Sequence, residues 1–293
     1  MSISVVLRGN FTIFFCQVAK FAIRIYNPKD MNLWRKIIPR KSVGLALGGG
    51  VVRGLAHIGV LKVLVKHQIP IDYIAATSSG SIVGALFASG FTPEEMEDLA
   101  LKTGWNRLLQ WSFSARGPFS GEGVEKFIYH QLGEFQFKDL ALPFRAVATN
   151  LKDGNKVVLK DGSVAKAVRA SCAFPGLFTP YQYGHQLLID GSIAENVPVD
   201  TVREMGAQKV IAVNVVPGND FTADYNNMLQ LVGRSIDLMV YKLSEDSLKR
   251  ADYVINPKID SDIWHLDLDK TDRLIKAGEA AANKVIKDLE NLI

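Results

Sequence analysis

A serine set between small residues at the end of an apolar run, in Ala76-Thr77-Ser78-Ser79-Gly80-Ser81, has the surroundings a nucleophilic hydroxyl needs. A sharp strand-to-helix turn lifts such a side chain off the sheet edge, and the helix N-terminus behind it favours developing negative charge. The usual spacing is Gly-x-Ser-x-Gly, because bulkier flanking residues collide across the turn; here Ala76 takes the first place and Gly80 the second. By itself the pattern also suits a helix cap. A second segment, Leu45-Ala46-Leu47-Gly48-Gly49-Gly50-Val51-Val52-Arg53-Gly54, again leads from a strand into a helix. Its three successive glycines let backbone N–H groups converge on an anion, with the helix dipole and Arg53 as further sources of positive potential.

The spacing restricts which anion. A dinucleotide fingerprint places glycines two and five residues after the first, but Arg53 stands at the last of these positions, and Asp72 begins the next strand where a ribose-binding acid should end it. The Gly-Lys-Ser/Thr of a P-loop is absent. A donor loop after one strand and an elbow serine after the next instead supply an oxyanion hole and a nucleophile, the parts of acyl transfer. The base is less obvious. His57 and His67 lie on the helix after the glycine loop and His130 ends an amphipathic helix, which reads as packing or surface; His185, in a polar turn, and His265, beside Trp264, stay open on spacing. Leu187-Leu188-Ile189-Asp190-Gly191-Ser192 ends an apolar strand with an acid and can deliver a carboxylate to the sheet edge that holds Ser78. In a partly dry site its pKa would rise, which improves it as a base. The bland alternative is that Asp190 starts a turn.

These residues need a sheet to carry them. Short apolar runs at 43–47, 73–76, 144–149, 187–189 and 210–216 alternate with helical patterns at 54–68, 81–89, 93–103, 120–131, 199–205, 228–250 and 270–291. Such alternation predicts a largely parallel sheet covered by helices on both faces. Thr92-Pro93-Glu94-Glu95 reads as a capping box with a first-turn proline, and Lys152-Asp153-Gly154-Asn155 as a hairpin turn. Between residues 103 and 120, Trp105, Leu108, Leu109, Trp111, Phe113 and Phe119, with Arg107 and Arg116 among them, suit either an acyl-chain channel with basic contacts or a buried wall.

The chain's 293 residues are 48% hydrophobic and 22% charged, which is ordinary globular composition and argues against disorder or a polytopic membrane protein. Cys16 and Cys172 cannot build a disulfide framework, and neither has partners at metal-ligand spacing, so a reducing, cytoplasmic location is expected. The uncharged window 73–93 holds Thr77, Ser78, Ser79, Gly80 and Ser81, a strand, turn and helix rather than a membrane span. Although the net charge is +4, the first 42 residues carry eight bases and one acid. Residues 1–41 therefore read as a separate basic extension before a domain at 42–293. Within it Phe11, Phe14, Phe15, Val18, Phe21, Ala22 and Ile25 share one helical face. Such a helix can lie on an anionic membrane surface as a peripheral attachment, or pack on the domain or on a second subunit of a homo-oligomer.

Several segments together resemble one family. Leu45-Ala46-Leu47-Gly48-Gly49-Gly50 with Arg53-Gly54-Leu55-Ala56-His57-Ile58-Gly59 resembles the opening of the patatin-like phospholipases, and Thr77-Ser78-Ser79-Gly80 resembles their nucleophile elbow. Val168-Arg169-Ala170-Ser171-Cys172-Ala173-Phe174-Pro175-Gly176, then Asp190-Gly191-Ser192 and Asn196-Val197-Pro198, is similar to the stretch around their catalytic Asp-Gly. The similarity runs in order over about residues 42–285. It implies a three-layer α/β/α fold with a mostly parallel central sheet, of the patatin-like (FabD/lysophospholipase-like) type. It further implies cleavage of fatty acyl esters of phospholipids or lysophospholipids by a Ser-Asp dyad, through an acyl-enzyme, with no metal, cofactor or nucleic acid. Carried over, Ser78 is the nucleophile, Asp190 its base, and Gly49 and Gly50 sit where amides form the oxyanion hole; Arg53, from its place beside the glycine loop, is a candidate headgroup or loop anion contact.

Three positions depart from the family pattern: Val51 and Ala76 stand where glycine is usual, and Ser192 where glycine or alanine is. If the loop demands positive φ at residue 51, valine is strained there. The departures keep two other readings in view. One is a catalytically weak lipid-binding or regulatory protein; the other is a nucleotide-binding protein using the glycine loop.

Overall fold

Alternation of side chains decides how the central strands are buried. In β1 (Val43–Leu47), Val43, Leu45 and Leu47 point to one face and Ala46 to the other; in β2 (Tyr73–Thr77), Ile74 and Ala76 oppose Ala75. The bulkier set joins the main core and the smaller set a thin second core, so the helices on that second face approach the sheet closely. A Cβ on Gly44 would stand 2.6 Å from both Ala207 Cβ and Val202 Cγ2.

In the computed structural model the described residues are 40–103, 108–112, 116–218, 227–264, 267 and 269–292; the expected amphipathic helix at 11–25 lies outside them. The sheet is mixed. β3 (Phe144–Asn150), β2, β1, β7 (Lys209–Val213) and β8 (Tyr253–Ile255) run parallel, while β4 (Lys156–Leu159) and β6 (Gln186–Asp190) pair antiparallel with β3, and β5 (Tyr181–Tyr183) closes a hairpin with β6.

Helices cover both faces. On the main core lie α1 (Ala56–Lys66), α2 (Ser79–Ser89), α3 (Pro93–Lys102), α4 (Glu122–Leu132), α5 (Val164–Ser171) and, later in the chain, α9 (Thr271–Leu292). After β6 come α6 (Ser192–Glu195) and α7 (Val199–Glu204), and after β7 the long α8 (Met228–Lys249); α7 packs on the second core. The capping box opening α3 is formed, with Glu95 N–H on Thr92 Oγ1 at 3.1 Å and Thr92 N–H on Glu95 Oε2 at 2.9 Å. The short elements β5, β8, α5 and α6 are not expected from periodicity, because stretches of three to eight residues give too few repeats to register. Among the described residues no helix is long and apolar enough to cross a membrane.

Strand register places the two candidate catalytic side chains at one point of the sheet. Val147 of β3 pairs with Thr77 of β2, and Ala148 pairs with Asp190 of β6. The same stretch, residues 146–149, pairs with β4. Since a strand has two edges, β2 and β6 must share the edge opposite β4, meeting end to end.

Candidate active site

That meeting brings the elbow serine and the strand-end acid together, although they lie 112 positions apart in sequence. Ser78 follows the last residue of β2 and caps α2 with φ 52° and ψ −130°, a backbone region that side chains other than glycine rarely adopt. The surroundings hold it there. Ser171 Oγ accepts the Ser78 N–H at 2.8 Å and donates to Val147 O at 2.6 Å, while Ser81 N–H and Oγ donate to Ser78 O at 2.7 and 2.6 Å. Gly80 lets the turn close, because a Cβ there would lie 2.6 Å from Gly48 O. Ala76, in place of the usual glycine, is fully buried and its Cβ lies 3.2 Å from where a Cβ on Gly84 would stand, so α2 accommodates it.

Asp190 is completely buried. Burial pushes its carboxyl up to about 6, against the lowering effects of the Ser78 hydroxyl and of Ser192, whose N–H donates to Oδ1 at 2.9 Å. Ser192 therefore restrains the rise rather than causing it. At neutral pH the carboxylate is ionised yet far more basic than an exposed aspartate.

The glycine loop presents a different picture from the one its sequence implies. Gly49 N–H is directed at Asn196, 3.3 Å from its backbone O and 3.2 Å from Oδ1. Gly50 N–H makes no hydrogen bond among the described residues. Of the two amides, Gly50 is thus the one available to an incoming anion. His57, fully buried, carries Nε2 2.7 Å from Gly48 O; burial pushes its imidazole down to about 4, so the neutral ring donates to that carbonyl and steadies the loop. Arg53 is fully buried too, with Nη1 3.0 and 2.9 Å from the two carboxylate oxygens of Asp237 on α8. The anion contact expected of Arg53 is taken by a side chain of its own chain, and the pair clamps the loop to α8.

Two cavities meet at Ser78. The smaller, about 310 Å³, is lined by Gly49, Gly50, Ser78, Asp190, Ser192 and Asn196 from the loops and by Ile236, Asp237 and Val240 of α8. The larger, about 740 Å³, is almost wholly apolar, bounded by Leu55, Ile82, Leu108, Leu109, Leu177 and Phe178 among others. Val51, Ser78 and Phe174 line both. Leu108 and Leu109 line the apolar cavity, while Phe119 is buried wall, packed against Phe178 with ring centroids 6.0 Å apart. Trp111 is exposed and tilted against Phe119; Trp105, Arg107 and Phe113 lie outside the described residues. Cys172 lines the apolar cavity as a free thiol, which burial and the nearby Asp190 charge push up and keep protonated.

Val51 has φ 53° at the start of the 3-10 turn Val51–Leu55. A β-branched residue in that region is strained by about 1–2 kcal/mol, as the departure from glycine anticipates. Val51→Gly is expected to hold or raise stability by up to about 1 kcal/mol in chemical denaturation, the relief of strain exceeding glycine's entropic penalty. A loss of more than that would show that the valine's packing between the two cavities outweighs its backbone strain.

The remaining histidines are elsewhere. His67 Nδ1 meets Glu290 at 3.0 Å, His130 is exposed, His185 sits at the exposed β5–β6 turn at the opposite end of β6 from Asp190, and His265 lies outside the described residues. Among the described residues no group of three or more His, Cys, Asp and Glu side chains is placed to hold a metal. Sequence reasoning misses Ser171 and Asp237, whose roles arise from contacts with distant segments and leave no local signal. His57 is legible in part: its place one turn beyond Gly54 is the one from which a helical residue reaches back to the loop.

A model of the family described as patatin-like phospholipase matches residues 45–203. The chain is 32% identical over 193 residues to lysophospholipase NTE1 of Debaryomyces hansenii and 33% identical over 206 residues to patatin-like phospholipase domain-containing protein 6 of Homo sapiens. These alignments cover 64% and 67% of this chain but only 12% and 15% of those relatives, which are far longer. Among solved structures, VipD from Legionella pneumophila superposes with a TM-score of 0.56 at 13% identity, covering 85% of this chain and 67% of VipD, a likeness of fold alone. With the family match taking in the glycine loop, the elbow and the Asp190 strand together, the chain belongs to the patatin-like phospholipases.

Proposed function

We propose that this chain is a serine acyl hydrolase that cleaves fatty acyl esters of phospholipids or lysophospholipids with a Ser78-Asp190 dyad. The observation that carries the reading is the shared cavity: a strained serine, a buried acid of raised pKa and the uncommitted Gly50 amide line one space, and Ser78 also lines a neighbouring apolar cavity suited to an acyl chain. Ser78 Oγ attacks the ester carbonyl while Asp190 takes its proton. The carbonyl electron pair moves onto oxygen, where the Gly50 N–H and the dipole of α2 stabilise it. Collapse expels the alcohol, which recovers the proton from Asp190 and leaves an acyl-Ser78. Water then attacks that ester as Asp190 takes its proton, and collapse breaks the acyl–Oγ bond, releasing the fatty acid while Ser78 Oγ recovers the proton from Asp190. No histidine is needed, because an aspartate titrating near 6 is already matched to general-base work at neutral pH.

Gly49, in this scheme, shapes the loop through Asn196 while Gly50 donates. The membrane is reached from the cytoplasmic side as a peripheral surface, with the positive charge of residues 1–41 attracting anionic lipid. The strain at Val51 and the committed Gly49 amide favour a second reading, a catalytically weak lipid binder. A fluorophosphonate probe separates the two, since it needs both a nucleophile and an oxyanion site. Covalent labelling mapped by mass spectrometry to the peptide containing Ser78 is expected; no labelling, with tight liposome binding and no ester cleavage, supports the weak binder. As a nucleotide site the glycine loop is poorly furnished, because the Gly49 N–H is already directed at Asn196 Oδ1 at 3.2 Å and Arg53 is paired with Asp237.

A further inference from the structure

We propose that Asn196 supplies the second donor of the anion cradle, its Nδ2 amino group hydrogen-bonding the acyl oxygen as that oxygen becomes an alkoxide. The inference rests on the acyl-transfer reading above and adds to it a residue acting on the reacting atoms. The Gly49 N–H can only donate, so the Asn196 atom 3.2 Å from it must be the carbonyl oxygen Oδ1. The amino group then occupies the other arm of the carboxamide. Asn196 is only 3% exposed, its Nδ2 is buried, and that nitrogen meets no hydrogen-bond partner among the described residues. A buried donor left unsatisfied is costly and uncommon, which points to a partner that arrives with the substrate.

The position fits that partner. Asn196 lines the same small cavity as Ser78, Asp190 and Gly50. A Cβ built on Gly49 would stand 2.8 Å from Ser78 Cβ and 2.9 Å from Asn196 Oδ1, so the carboxamide and the nucleophile flank one side of that glycine. The side chain is also held in advance of the reaction. Thr77 Oγ1, one residue before the nucleophile, donates to Glu195 O at 2.8 Å, and Ser247 Oγ of α8 donates to Val197 O at 2.8 Å, fixing the backbone on either side of Asn196. Gly49 N–H restrains the carboxamide itself. One side chain thus occupies the amide of Gly49 and offers its own amino group in exchange, giving Gly50 N–H a companion. A donor fixed before charge develops stabilises the transition state without reorganisation.

The test uses the full chain with Asn196→Ala and Asn196→Asp, assayed with a p-nitrophenyl fatty ester on the alkaline plateau, where Asp190 is ionised. Asn196→Asp keeps an acceptor for Gly49 and nearly the same shape but turns the donor into an acceptor. Both variants are expected to lose about 10²–10³-fold in kcat with KM within about threefold, and to react with a fluorophosphonate more slowly by a similar factor. Should Asn196→Ala fail to fold, Asn196→Asp decides alone. With Ser78→Ala inactive, a kcat within about threefold of wild type in Asn196→Asp overturns the donor role while leaving the dyad standing. A raised KM and lowered melting temperature at unchanged kcat would also overturn it, assigning Asn196 to structure. If Ser78→Ala itself turns over normally, the acyl-transfer reading fails first and the donor role with it.

Discussion

Ser78→Ala is expected to reduce ester hydrolysis by about 10⁴–10⁶-fold and to abolish fluorophosphonate labelling, with the melting temperature little changed. Only the hydroxyl is removed, and the backbone contacts that hold the turn, from Ser171 Oγ, Ser81 N–H and Ser81 Oγ, use main-chain atoms of residue 78. A companion variant separates chemistry from strain. Ser78→Gly loses the same activity, but at φ 52° and ψ −130° glycine is unstrained where serine and alanine are not. It is therefore expected to be more stable than Ser78→Ala by about 1 kcal/mol in denaturant titration. Turnover surviving in both variants would show that another group is the nucleophile.

Asp190→Asn should pair lost activity with gained stability. The substituted carboxamide would still accept the Ser192 N–H through its oxygen, but its amino group would face Ser78 where a proton acceptor is needed; a loss of about 10⁴-fold is the scale seen when a catalytic acid is neutralised in this way. The stability gain follows from the sign of the pKa shift. Folding raises the carboxyl from 3.8 to about 6, so the folded state disfavours the charged form. That penalty is absent below about pH 4, grows as pH rises from about 4 to about 6, and is complete above that. Removing the charge should stabilise the protein at about pH 7–8 by on the order of 2–3 kcal/mol, a rise of roughly 5–10 °C in melting temperature, with the two proteins converging near pH 4. As the proposed general base, Asp190 is expected to set the acid limb of kcat/KM for the wild type, one proton with a midpoint near 6. Equal melting temperatures at about pH 8, or an acid limb below about pH 5, would mean that the carboxylate is solvated rather than buried.

Long elements and strand-end residues are readable in the sequence because their signals are local. β1, β2 and β3 announce themselves as β-branched or apolar runs, α3 by its capping box, and the elbow by a serine between small residues. What the chain does not announce is commitment. Gly49 and Gly50 look equivalent as letters, yet Asn196, 147 positions beyond Gly49, takes one amide and leaves the other. Arg53 looks like an uncommitted cation beside an anion loop until Asp237 on α8 closes on it. Val51 is the intermediate case. Its strain is legible as a conditional, and the loop's φ of 53° meets the condition. Pairwise competition of this kind is settled by tertiary packing, which single-segment patterns do not encode.

With Ser78 and Asp190 acting as the proposed dyad, the end-to-end meeting of β2 and β6 along β3 would make turnover a gauge of strand registration. Side chains alternate along β6, so a slip of one residue against β3 would send the Asp190 carboxylate to the other side of the sheet while leaving most backbone pairing intact. A chain misaligned in this manner would remain folded by circular dichroism and yet be silent towards ester. Specific activity per mole of folded protein would then measure something spectroscopy passes over: the fraction of molecules in which two strands far apart in sequence have found the same template to within a single residue.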